Sequence, residues 1–203
     1  MLNALLLFRR NRARILDLGA VYDLCLGRAP LLTNQLDEIL RAQIVLSVSA
    51  FDTFIHDCVR IGIVRQFTTA GVLSNSLKSY SIPFEDFQTI NALPTINDKT
   101  LYLDGVIKKV NSKISYQRPA SIENAMSLLG VGNIWSKVSM GMKMPASDIK
   151  AELSNIVNRR NKIAHESDLD ALGVSLNPIT KAEVNHVLSF LYGLAINIYY
   201  LIK

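Results

Sequence analysis

Cysteine, histidine and charge are all scarce in this chain of 203 residues, and each shortage excludes something. The two cysteines, Cys25 and Cys58, lie inside apolar helical patterns. They read as small buried hydrophobes of a protein in a reducing, cytoplasmic compartment rather than as a disulfide. His56, His165 and His186 are far apart and no Cys/His or HExxH spacing occurs, so no metal site and no cofactor is expected. Only 19% of residues are charged while 49% are hydrophobic, which excludes general disorder. The sequence also lacks internal repeats, low-complexity segments and the alternating runs that mark hairpin strands.

What is present is mildly basic. The formal charge of +5 and pI of about 9.2 tilt the chain toward anionic partners without the density of a protein held mainly on phosphates. Much of the excess sits in "FRRNRAR", where Arg9, Arg10, Arg12 and Arg14 form either a solvated helix face or an RNA-contacting patch. The opening "MLNALLLFRR" has no charge ahead of its apolar run and no small-residue cleavage site behind it, so it does not read as a signal peptide. The run from Val184 to Ile202 holds no Lys, Arg, Asp or Glu and is long enough to span a bilayer. Because Asn185, His186, Ser189 and Asn197 interrupt it, it reads as a buried core helix, with a tail anchor as the alternative and no membrane partner expected.

The organisation reads as all-α. A first helix is expected over Ala4 to Gly27, closed by "GRAP", and a long second one from Gln35 to Phe67 after a Thr33/Asn34 cap. The second is apolar on nearly every side, so it is central or shared with another subunit. Between residues 68 and 147 prolines and glycines cut the chain into short helices, read as an insert packed on the bundle of one domain spanning 1–203. Within the insert, Lys99 to Ser115 reads as the longest helix, and "RPASIENAMSLLG" as one opened by Pro119 and closed by Gly130. Trp135 and the Met140, Met142, Met144 cluster read as packing. A penultimate helix starts near Ser147, and the last begins at a capping box, Thr180 to Glu183.

The penultimate helix carries "NRRNKIAHESD", Asn158 to Asp168. At about 100° per residue, Leu153, Ile156 and Ile163 fall within about 40° of Ile149, and Arg160 lands about 20° from that line. Arg159 and Lys162 point to the polar side, while Asn161 and His165 share a flank one turn apart. A guanidinium on an apolar stripe stays charged and needs an anion. Two readings stay open: an ion pair, with Asp52 of the second helix as the partner, or a cleft in which Arg160 meets a phosphate.

"RRNKIAHESD" resembles the signature of HEPN-domain proteins, an arginine usually followed by Asn, Asp or His, then a histidine after four to six further residues. "VLSVSAFDTFIHDCV" and "SIENAMSLLGVGNIW" resemble the second helix and the pre-motif segment of the RiboL-PSP-type branch, in the same order. The resemblance implies a four- to five-helix up-and-down bundle that forms a homodimer with its two motif helices facing each other. It implies metal-independent endoribonuclease activity, as in many toxins and antiviral defence effectors, with RNA as substrate and an antitoxin or other defence protein as partner. The alternative is a catalytically silent dimer that binds a nucleotide, RNA or a protein. Carried over, Arg160 and His165 are the motif pair and Asn161 the polar companion. Asp52 stands where an acidic residue is common, Glu166 is a further supporting candidate, and Arg159 and Lys162 are candidate RNA-backbone contacts.

Those residue types suit the chemistry. Metal-free RNA cleavage removes a proton from a 2′-OH, stabilises charge on phosphorus oxygens and protonates the leaving 5′-oxygen, leaving a 2′,3′-cyclic phosphate. Imidazole exchanges protons near neutral pH, and guanidinium offers paired N–H donors to oxyanions. One His165 does not readily serve both faces of an in-line displacement. Two copies across a two-fold axis do, which gives dimerisation a chemical reason. His56 and His186, each inside an apolar helix, read as hydrogen-bonded core histidines rather than catalytic ones.

Overall fold

Apolar residues recur so densely between positions 36 and 64 that one helix has neighbours on all sides, and the rest of the chain is arranged around it. A computed structural model describes residues 1–28, 33–69, 73–170 and 172–203. Among them the elements are α1 (Leu2–Arg28), α2 (Thr33–Thr68), α3 (Asn75–Lys78), α4 (Phe84–Ala92), α5 (Ile96–Asn111), α6 (Pro119–Leu128), α7 (Ile134–Met142), α8 (Ala146–His165) and α9 (Lys181–Ile202). The only extended pairing among the described residues is an isolated bridge, Leu169 to Leu176. The Ala29 and Pro30 part of the expected first-helix stop lies outside the described residues, as do the Thr33 and Asn34 side chains of the expected cap.

Helix α2 is the axis of the bundle. It packs on α1, α9, α5, α8 and α6, and Leu40, Ile44, Phe51, Phe54, Ile55, Cys58 and Val59 are buried along it. Burial pushes the Cys58 thiol well above its ordinary range, so it behaves as an apolar filler. Cys25, expected to be buried too, is only half-buried, and both thiols are unpaired. Helix α9 is apolar enough to cross a membrane by length and composition. Here its Val187, Leu188, Leu191, Leu194, Ala195 and Ile198 are buried in the core, and it packs on α2, α7 and α1.

The segment read as one insert divides in two. Helices α3 to α5 form an outer layer, α4 resting on α5 and α5 on α2, whereas α6 and α7 belong to the bundle. Ile122, Met126, Ile134 and Val138 are fully buried, and Trp135 nearly so. Pro119 opens α6 as expected. Gly130, at φ 77°, ends it in the left-handed turn that favours glycine, with the Val131 amide donating to Met126 O at 3.0 Å. Met142 and Met144 pack against the core, but Met140 is exposed. Helix α7 meets α9 closely at Gly141, where an added Cβ would overlap the Asn197 side chain.

Candidate functional site

Pro145 precedes the first turn of α8, Asp148 sits in that turn, and Lys162 and His165 sit in the last, an arrangement that complements the helix dipole at both ends. Ile149, Leu153, Ile156 and Val157 are its buried face. Arg160 follows on that stripe and is half-buried, while Lys162, His165 and Glu166 are exposed.

Arg160 has no carboxylate partner among the described residues. One Nη1 donates to Asn161 Oδ1 at 2.9 Å, and Nε is closed off from solvent with no acceptor. An ion pair with Asp52 is therefore not formed. Asp52 Oδ1 instead accepts the backbone N–H of Tyr116 at 2.7 Å, and its other oxygen lies 3.9 Å from His56 Nε2. That ring contacts the carbonyl oxygen of Ile114 at 3.1 Å. Asp52 and His56 brace the connection from α5 to α6. His186, expected in the core, is exposed and meets Glu152 at 2.8 Å, joining α9 to α8, and His56 is only half-buried. His165 is exposed and has no hydrogen-bond partner among the described residues.

Arg159 departs from the expectation that it points outward. Its guanidinium is paired with Asp168 and Glu183, and donates to Pro178 O at 3.0 Å. The reason lies beyond the helix: the chain after His165 folds back over that flank. Glu183 caps α9 only through its backbone N–H, which donates to Thr180 Oγ1 at 3.1 Å, and gives its carboxylate to Arg159. As a phosphate contact Arg159 would have to leave these partners. Lys162 is under no such constraint.

Two residues that the sequence reading did not select hold this end of α8. Asp168, 1% exposed, takes Arg41 Nε on one oxygen at 2.7 Å and Arg159 on the other. Arg41, 4% exposed, also donates to Glu38 at 3.1 Å and to Asn177 O at 2.7 Å. The contact fixes α2 and α8 as antiparallel, since the early part of α2 meets the segment just past the end of α8. At 1.5 Å per residue, Asp52 then lies about 16 Å further along α2 than Arg41, away from the end of α8 that carries Arg160 and His165.

The turn after α8 is built in detail. Ser167 and Asp168 both have positive φ, 53° and 54°, a strained conformation for side-chain-bearing residues that persists where other bonds over-determine it. Here the Asp168 amide donates to Lys162 O and Asn177 N donates to Asp168 O at 2.8 Å. Beyond it, Asp170 Oδ1 accepts the amides of Leu172 and Val174 at 3.0 and 3.1 Å. These backbone donors, Val174 first, hold the Asp170 carboxyl below its ordinary range. Leu172 and Val174 themselves face solvent.

The last two turns of α8 thus present a guanidinium with no carboxylate partner among the described residues, its amide companion and an exposed imidazole. Among the described residues no cluster of three or more metal-ligating side chains occurs. Residues 22–203 match the family model described as RiboL-PSP-HEPN. No curated protein and no solved structure matches the chain.

Proposed function

Because the chain belongs to the RiboL-PSP-HEPN family, we propose that it is an endoribonuclease whose Arg160 and His165 act on the RNA phosphodiester without a metal ion. The observation that carries this reading is the state of Arg160. A half-buried guanidinium with an unsatisfied Nε and no carboxylate is a site still lacking its anion, and a phosphate supplies one. His165, one turn from Asn161 and open to solvent, is placed to exchange protons.

The two groups stand five residues apart, so they lie about 140° apart around α8 and about 7.5 Å apart along it. A second copy facing this helix end brings another guanidinium and another imidazole to the same phosphate. One imidazole takes the 2′-OH proton and the other protonates the 5′-oxygen, while the arginines hold the non-bridging oxygens. Asn161 orients Arg160, and Lys162 faces the RNA backbone. A protein that restrains such an activity would cover the same end of α8, as an antitoxin does.

The test is RNA cleavage by purified protein in EDTA, followed by analysis of the product ends. Fragments ending in 2′,3′-cyclic phosphate, no cleavage of the 2′-deoxy analogue, and loss of both with His165→Ala are the expected results. An unchanged cleavage pattern with His165→Ala would overturn the catalytic role and favour a silent module that binds a nucleotide, RNA or a protein.

A further inference from the structure

Helix α1 shows solvent an apolar stripe. Leu2, Leu6, Leu16 and Leu24 are 55%, 50%, 39% and 55% exposed, although α1 buries Leu5, Phe8, Ile15 and Tyr22 elsewhere on its surface. At about 100° per residue, Leu2, Leu6, Ala13, Leu16, Ala20 and Leu24 all fall within about 40° of one line along the helix. Arg9 lies in the middle of that line, and Asp17 lies about 60° from it, on the stripe's edge. Both are exposed, and neither has an ion-pair partner among the described residues. The helix packs on α2 and α9, whereas α8 packs on α2, α6 and α7, so this stripe is a different surface from the motif helix.

We infer that the outer face of α1 pairs with the same face of a second copy, antiparallel, about a two-fold axis passing beside Ala13. In that register Leu2 meets Leu24, Leu6 meets Ala20, Arg9 meets Asp17, and Ala13 meets its own twin. A two-fold interface requires this kind of self-complementarity. The small side chain at the crossing lets the axes approach to the 8–10 Å typical of packed helices. Each Arg9 gains a carboxylate, twice per pair. Arg10 lies over Leu16, where its aliphatic stem covers the leucine and its charge stays at the rim.

The parallel arrangement puts Arg9 against Arg9 and is disfavoured. A lipid surface is the other occupant for an apolar stripe with arginines, but there the arginines flank the apolar face, whereas Arg9 lies in the middle of this one. The antiparallel twin neutralises it. This pairing is separate from the one that the nuclease reading requires at the end of α8 and uses none of its residues; with both formed, the chain assembles beyond a dimer.

The experiment uses the full chain with Cys25→Ser and one introduced thiol, oxidised mildly and run on a non-reducing gel. Ala13→Cys forms a covalent dimer, and Leu6→Cys links to a co-purified Ala20→Cys chain but not to itself. In sedimentation, Arg9→Asp or Asp17→Arg alone raises the dissociation constant of the pair about tenfold, and the double exchange restores it. Circular dichroism of each variant confirms folding, which these exposed positions leave intact. If Ala13→Cys fails to cross-link, or if the double exchange fails to restore association, the pairing is wrong. Flotation with anionic phospholipid vesicles without the cross-link likewise overturns it, in favour of a bilayer. None of these results bears on whether His165→Ala abolishes RNA cleavage.

Discussion

Arg41 and Asp168, 127 residues apart in sequence, meet at 2.7 Å in the interior, and their contact ties the start of α2 to the end of α8. Removing one partner of such a pair strands the other charges in a poorly solvated place. Asp168→Ala should cost about 3–5 kcal/mol, because Arg41 and Arg159 both lose the buried carboxylate that they share and keep only the more exposed Glu38 and Glu183. Denaturant unfolding measures it, and a cost under about 1 kcal/mol would show that the two arginines find other partners.

Arg160 should behave in the opposite way. With no carboxylate to strand, Arg160→Ala is expected to change stability by no more than about 1 kcal/mol while abolishing RNA cleavage. Arg159→Ala should show the reverse balance, a larger loss of stability than of RNA affinity. Melting curves and a cleavage assay on the two adjacent variants separate the roles; equal losses of stability would remove the distinction.

The Asp170 turn gives a prediction in acid. Its carboxyl titrates lower in the folded protein than in the unfolded chain, so the stabilisation is present above the ordinary aspartate value and is lost as pH falls through the folded value. Below about pH 4 the protection factors of the Leu172 and Val174 amides, taken against the intrinsic exchange rate at each pH, should fall. Asp170→Asn should show low protection already at neutral pH. Protection factors that stay constant from pH 6 down to pH 2 would contradict this.

Gly141 tests the packing of α7 on α9. A Cβ there would overlap Asn197, whose Nδ2 donates to Gly193 O at 2.9 Å. Gly141→Ala should destabilise by about 1–3 kcal/mol. Gly141→Ala combined with Asn197→Ala should recover most of that loss, as thermal melts of the three variants will show.

Much of this arrangement could be read from the sequence. The helix spans were visible because apolar periodicity and proline placement act locally, and Arg160 was found by turning α8 through 100° steps. The same steps along α2 align Arg41 with Val48 and Val59 to within about 20°, so its burial was available to the same reasoning. Asp168 was not. It lies in a turn, where no period applies, and its burial depends on the segment around Asn177 and Pro178 lying back over α8. That fold-back also reversed the expectation for Arg159, since one helix's geometry says nothing about what later covers it. The division of residues 68–147 between an outer layer and the core was hidden for the same reason.

Synthesis of the chain imposes an order on all this. When Arg41 leaves the ribosome its carboxylate is still 127 residues away, a delay of about 6–25 s at ordinary elongation rates. Until Asp168 and the residues behind it arrive, Arg41 and Arg159 lack the carboxylate that they share. The end of α8 is therefore among the last parts of the molecule to be fixed in place, and a chain stopped short of Asp168 leaves that end open.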